Sequence, residues 1–272
     1  MLSQRSRVLI TVKASPEPSK SYVDTVCVAG VRLTNAGPEW VRIFPIAFRH
    51  LSSDKQFNKY EIIEVDLARS TKDARLESHR PNWETLTRGK RGPLTPKARG
   101  PILEKLIGPT MCDLRLGVEQ DLNAQSLGLI EVRKLEPLVF EYHGPWSAEQ
   151  IASMSAAMAQ PDLLGEVDDA PMLTPPRYKV KYRYYCASPD CKRHEQSILD
   201  WELTALQYHN RRLSDVDLRA LITKKFYDEM WNDKVRTYFF VGNFADIVKR
   251  RNFSVLGVYK PPRGSDYAST LF

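Results

Sequence analysis

Tyr22-Val23-Asp24-Thr25-Val26-Cys27-Val28-Ala29-Gly30-Val31-Arg32-Leu33 is a run of β-branched and small apolar residues with no helical period, and its neighbours decide the fold. Upstream, Arg7-Val8-Leu9-Ile10-Thr11-Val12-Lys13 has the same character, and downstream residues 39–48 and 60–67 repeat it. Pro16, Pro18, Gly37 and Pro38 punctuate the series. Strands in such quick succession pair antiparallel, and a small barrel or sandwich is the usual way to bury one face of the meander.

Residues 70–108 are charged and rich in Pro and Gly, which predicts a long loop with one short helix near 102–107 and a concentration of positive charge that includes Lys90 and Arg91. Strand-like segments follow at 126–132 and 138–142. A helix-prone run at 148–160 then passes into acidic and prolyl sequence up to Pro176, the composition of an exposed connector. The remainder predicts a strand at 178–185, helices at 197–212 and 215–231, and strands at 235–241 and 253–259. The expected fold is therefore α+β. An N-terminal antiparallel β-barrel domain spans 1–146, a helix and linker 147–176, and a C-terminal α+β domain 177–272.

Forty Lys and Arg against 33 Asp and Glu give a net charge of +7, a field that steers polyanions. The four cysteines, Cys27, Cys112, Cys186 and Cys191, are too few for a disulfide scaffold and point to a reducing, cytoplasmic setting. The first residues are polar instead of forming an apolar leader, and no apolar run has the length of a membrane helix, so no membrane partner is expected.

Cys186-Ala187-Ser188-Pro189-Asp190-Cys191-Lys192-Arg193-His194 offers two thiolates and an imidazole from one turn, the ligand types that zinc takes in structural sites. A fourth ligand would have to come from His209, Cys112, Cys27 or His79. The plainer alternative is two ordinary cysteines near a helix start. Along 177–185 cations alternate with aromatic and apolar residues. Arg177, Lys179, Lys181 and Arg183 point one way, and Tyr178, Val180, Tyr182 and Tyr184 the other. Such a row suits a phosphate backbone, with Tyr182 or Tyr184 stacking on bases if exposed. A half-buried strand with tyrosines in the core and cations in water has the same pattern. Lys249, Arg250 and Arg251 add a basic connection between the last two strands.

Catalytic signatures are weak. Asp200 and Glu202 near a helix start suit dipole capping as well as metal binding, and neither Glu64 with Asp66 nor Asp121 with Glu131 completes a hydrolytic carboxylate set. There is no phosphate-cradling glycine loop, nucleophile elbow or His-Glu-x-x-His helix. Cys27, in an apolar strand, reads as a buried inert thiol. The sequence leaves enzymatic activity open, and these signatures lean against it.

Cys27-Val28-Ala29-Gly30, then Trp40-Val41-Arg42-Ile43-Phe44-Pro45 and Tyr60-Glu61-Ile62-Ile63-Glu64-Val65, resemble a bacterial group of dual OB-domain proteins. The resemblance implies a five-stranded Greek-key barrel of a kind that binds single-stranded nucleic acid or oligosaccharide, with Arg32 and Arg42 towards the ligand. The C-terminal half is similar to regions associated with mobile-element or anti-phage loci, although two successive helices depart from a second plain barrel. The function expected is binding of DNA or RNA through a basic surface, as a component of a bacterial defence or mobile-element system. Two rivals stand beside it: a metal-dependent nuclease or nucleotide-processing enzyme using Asp200 and Glu202, and a scaffold subunit among other proteins.

Overall fold

The computed structural model describes residues 3–18, 24–46, 48, 51–89, 91–158 and 172–265. The N-terminal strands are β1 (Gln4–Lys13), β2 (Glu17–Pro18), β3 (Asp24–Thr34), β4 (Gly37–Ile46), β5 (Ile62–Arg69) and β6 (Ser78–Arg88). β1 pairs with both β3 and β5, β5 with β6, β6 with β4, and β4 with β3. Apart from the short β2, the five strands close a ring in the order β1-β3-β4-β6-β5. Its one parallel contact joins β4 to β6 at Arg42–Ser78 and Ile43–His79. That order is the OB barrel.

Bulges at Ile10/Val12 and Val26/Val28 let the strands bend around the ring. Gly30 is required at the β1–β3 crossing, because a Cβ there would lie 2.6 Å from Val8 Cγ1 and 2.7 Å from the Leu9 carbonyl oxygen. Alternation then sends Val8, Val28, Ile43, Ile63 and Val65 into the barrel, all fully buried.

The second half contains β7 (Leu127–Leu135), β8 (Val139–Tyr142), β9 (Tyr178–Cys186), β10 (His194–Ser197), β11 (Tyr238–Asn243) and β12 (Phe253–Tyr259), in sheet order β10-β9-β7-β11-β12 with β8 on β9. Just beyond β10, Ile198 pairs in parallel with Val255 of β12, and the Leu199 amide donates to the Val255 carbonyl at 2.8 Å. The sheet thus curls to β7-β9-β10-β12-β11, the same connectivity as the first ring. Helices α4 (Trp201–His209) and α5 (Asp215–Thr223), with the π-helical turn Lys224–Asp228, fall between the third and fourth strands of this ring. Leu203, Leu218, Ile222 and Phe226 share one core with Tyr182, Tyr184 and Phe239. The two helices are therefore an insertion within a second barrel, not a departure from one.

Two sequence expectations change. Residues 78–88, expected as loop, form β6. The boundary expected at 147–176 lies within the second half, because β7 and β8 pair with β9. The change between rings occurs earlier, along α1 (Pro96–Glu104) and α2 (Met111–Gln120). α3 (Ala148–Met158) belongs to the β8–β9 connection.

The barrels are joined by a third core. Leu9, Ala29 and Val31 on the outside of the first pack with Leu129, Phe240 and Leu256 on the outside of the second. Trp40 meets Phe240 edge-on at 6.2 Å, and the Ser15 amide donates to Leu199 O at 3.0 Å.

Candidate metal centre and nucleic-acid face

Cys186 ends β9, His194 begins β10, and Cys191 lies in the turn between them. Cys112 arrives from the first turn of α2, a helix started by Thr110, whose side chain and that of Asp113 form a reciprocal capping box. The four ligand atoms lie within 4.8 Å of one another, and three of the four residues are buried. Cys112 Sγ is 3.7 Å from Cys186 Sγ and 3.5 Å from His194 Nε2. A tetrahedral ion with metal–sulfur bonds of about 2.3 Å has sulfur–sulfur edges of about 3.8 Å, so these separations are those of a closed four-ligand site. Burial and the charge of Arg115 push His194 down to about 4, so its imidazole is neutral and free to ligate at neutral pH. Burial and the neighbouring Cys186 thiol push Cys112 up to about 12, so without an ion its proton stays on. Arg193, between Cys191 and His194, has a φ of 92°. A non-glycine residue held in that region persists only where its surroundings fix the turn.

Of the four candidates for the last ligand, Cys112 completes the set. Cys27 lies in the other barrel at 3.6 Å from Arg42 Nη1, His79 is on β6, and His209 is exposed at the end of α4. The cluster can hold a metal ion.

The tyrosines of β9 are not available to bases. Tyr178, Tyr182 and Tyr184 are 2%, 0% and 0% exposed, and Tyr182 stacks on Phe239 inside the barrel at 4.5 Å. The cations alternate outward as expected, but not as a bare row. Lys181 Nζ is 2.6 Å from Glu141 and 3.4 Å from Glu195, Arg183 Nε is 2.7 Å from Glu195, and Arg177 is 3.0 Å from Asp215. Lys179 is exposed with no ion pair among the described residues. Lys134 of β7 lies across from Tyr185, its Nζ 5.3 Å from the ring centre.

The other expected contacts scatter. Arg32 is paired with Glu39 at 2.7 Å, and Arg91 is exposed. Arg42, 3% exposed, donates to the backbone and hydroxyl oxygens of Ser126 at 3.2 and 3.3 Å. It stands buried in the seam between the barrels. Arg250, also buried, donates to Ala245 O and Leu122 O and shapes its own loop. Lys249 and Arg251 are exposed. Lys90 lies outside the described residues.

Asp200 is the N-cap of α4, accepting from the Glu202 amide at 2.9 Å, with Lys59 Nζ at 3.9 Å. Glu64 and Asp66 sit on the first barrel beside Arg5. Among the described residues the Cys₃His cluster is the only grouping of three or more potential metal ligands, so no carboxylate set for metal-assisted hydrolysis is assembled there.

One asymmetry orders these observations. OB barrels take ligands on the outer face of their second and third strands. In the first barrel those strands are β3 and β4, and Ala29, Val31, Trp40 and Arg42 on that side are covered by the second barrel. In the second barrel they are β9 and β10, and their outer side carries Lys179, Lys181, Arg183 and Glu195 in contact with water.

Residues 107–272 match a domain of unknown function, DUF8757. The chain belongs to this family. The DUF8757 region begins just before α2, so it takes in Cys112, Cys186, Cys191 and His194 and the whole second barrel, while residues 4–104 match a separate domain of unknown function, DUF8758, that spans the first. No curated protein matches the chain. Among solved structures, a murine DNA-binding protein bound to double-stranded DNA aligns at 9% identity and a TM-score of 0.32, over 95% of each chain. The p204 HINb domain aligns at 9% identity and a TM-score of 0.30, over 96% of this chain and 97% of its own. Likenesses that distant do not say what a DUF8757 protein binds.

Proposed function

We propose that the chain binds nucleic acid on the outer face of β9 and β10, and that a structural zinc ion held by Cys112, Cys186, Cys191 and His194 keeps this hairpin in shape. A barrel fold alone does not carry a function. What supports the reading is that the customary ligand face is covered in one barrel and open in the other, and that the open one presents Lys179, Lys181 and Arg183. Glu141 and Glu195 pair with two of these cations in the free protein, so a phosphate backbone has to compete with them. The donor set supports zinc over harder ions, since thiolates and an imidazole at tetrahedral separations suit its preferences. A role in defence or at a mobile element rests on the resemblance to dual OB-domain proteins from such loci.

The test is fluorescence anisotropy of labelled DNA and RNA across a salt series. Affinity should fall linearly on logarithmic axes, and K179A/K181A/R183A should flatten the slope by about 0.9 for each duplex phosphate contact removed. Binding that ignores ionic strength, or that the triple variant leaves intact, rejects the face. Metal analysis of the purified chain should find equimolar zinc.

A further inference from the structure

Residues 244–252 connect β11 to β12, the fourth and fifth strands of the second barrel. At their tip two adjacent aliphatic side chains face water, Ile247 at 64% and Val248 at 85% exposure. The loop is pinned from below. Arg250, 4% exposed, sends its guanidinium inward to Ala245 O at 2.6 Å and Leu122 O at 3.3 Å, and its Nη2 lies 4.0 Å from Asp73 of the first barrel. Asp246 Oδ1 accepts from the Val248 amide at 2.9 Å, and the Lys249 amide donates to Asp246 O at 3.1 Å. Burying either aliphatic side chain would stabilise the protein. The inward turn of Arg250 instead fixes a backbone that holds both out. Lys249 and Arg251 follow the tip, are exposed, and have no ion pair among the described residues.

We infer that this loop is a wedge for stacked duplex nucleic acid: Ile247 and Val248 enter a base step while Lys249 and Arg251 rest on the adjoining phosphates. The inference rests on the nucleic-acid reading above and specifies the form of ligand. Aliphatic side chains part stacked base pairs in proteins that kink duplexes, whereas readers of single strands offer open aromatic faces on which bases stack. The strand that carries the cations, β9, fits the first pattern, and the exposed Tyr142 beside it is tied up against the Tyr178 ring, 5.0 Å between centres, and by a hydrogen bond to Asp215. Tyr178, Tyr182 and Tyr184 are inside the barrel, and Lys134 sits over Tyr185. The unpaired cations beside the tip supply the charge complementarity that a phosphate backbone requires.

The experiment uses the full chain and a short duplex with 2-aminopurine at its centre. Binding by the wild type should raise the probe's fluorescence as the step unstacks. I247S/V248S, altered only at the surface, should still bind, roughly tenfold more weakly, without that rise. Duplex binding with no fluorescence change in the wild type, or an undiminished rise with the variant, overturns the wedge while leaving nucleic-acid binding intact. Absence of binding to any nucleic acid at low salt overturns the broader reading itself. Sedimentation with phosphatidylserine vesicles that depends on Ile247 and Val248, in a chain that leaves the duplex stacked, assigns the tip to a lipid surface and also overturns the wedge.

Discussion

The two barrels share a strand order yet solve opposite problems with it. The first turns the outside of β3 and β4 towards its partner, so a face that OB barrels commonly leave to ligands becomes interior, with Ala29 and Val31 at 2% and 0% exposure. The second keeps the outside of β9 and β10 wet and gathers a Cys₃His cluster at the turn between them. Topology alone therefore does not locate a binding surface. What covers each face, and what holds its hairpin together, does so.

The largest expected break in this comparison comes from the proposed metal site. Structural zinc sites are worth roughly 10–16 kcal/mol in small zinc-finger peptides, and the ligands here bridge α2 to the β9–β10 turn. Chelation of the full chain, or Cys112→Ser, should strip amide-exchange protection from β9 and β10 while β1 to β6 retain theirs. Equal loss in both barrels would mean that the cluster is no local staple.

A smaller effect separates the covered face from the open one. Phe240, 1% exposed between the barrels, packs against Trp40. Phe240→Ala should cost about 3–5 kcal/mol in chemical denaturation. Tyr185→Ala, on the partly open side of β9, should cost under about 1 kcal/mol. Similar losses at the two sites would show that the outer face of β9 is covered as well.

The pH dependence tests the seam itself. Burial pushes Asp200 up to about 6, a rise that Lys59 at 3.9 Å only partly opposes. A carboxyl whose folded pKa is raised binds its proton more tightly in the folded state, so its contribution to stability grows as pH falls from about 6 towards 4 and is lost as pH rises through about 6. The depressed pKa of His194 acts in the opposite sense over part of this range, so the informative quantity is a difference between proteins. Thermal midpoints between pH 7.5 and 5 should show the wild type gaining on Asp200→Asn as the solution is acidified, by less than about 1.4 kcal/mol per pH unit. Asparagine preserves the helix cap, so parallel curves would show that Asp200 keeps an ordinary carboxyl.

The strands of the first barrel were legible because buried β-branched residues alternate along β1, β3, β4 and β5. β6 was not. In Ser78–Arg88 only Ser78 and Leu86 are buried, so little apolar period reaches the sequence, and pairing with β4 and β5 makes it a strand. β10 was not legible: the good cap at Ser197 predicts a helix from there, but Ser197 ends a strand and the helix is capped by Asp200 once the chain has passed Ile198. Three of the four candidate ligands stand within one turn of sequence and are legible there. Cys112 precedes Cys186 by 74 residues, and only folding selects it over Cys27. The cations of β9 were placed on the correct side by their period of two, but period carries no information about which acids lie across from them. The exposed tip at Ile247 and Val248 had no signal at all, since it depends on the inward turn of Arg250.

Those acids give the smallest and most specific test. Glu195 pairs with both Arg183 and Lys181, and those two cations hold its carboxyl below the usual range. If the outer face of β9 and β10 receives phosphates, Glu195 is a competitor that every bound phosphate must displace. Neutralising it with Glu195→Gln keeps the shape of the side chain, frees Arg183 and leaves Lys181 paired with Glu141 alone. Exposed pairs of this kind are worth about 0.2–1 kcal/mol, so nucleic-acid affinity should rise by about two- to fivefold and the salt dependence should steepen. The same change on the first barrel, Glu39→Gln beside Arg32, frees a cation next to a covered face and should leave binding unchanged. A gain from Glu39→Gln and none from Glu195→Gln would move the ligand to the other barrel.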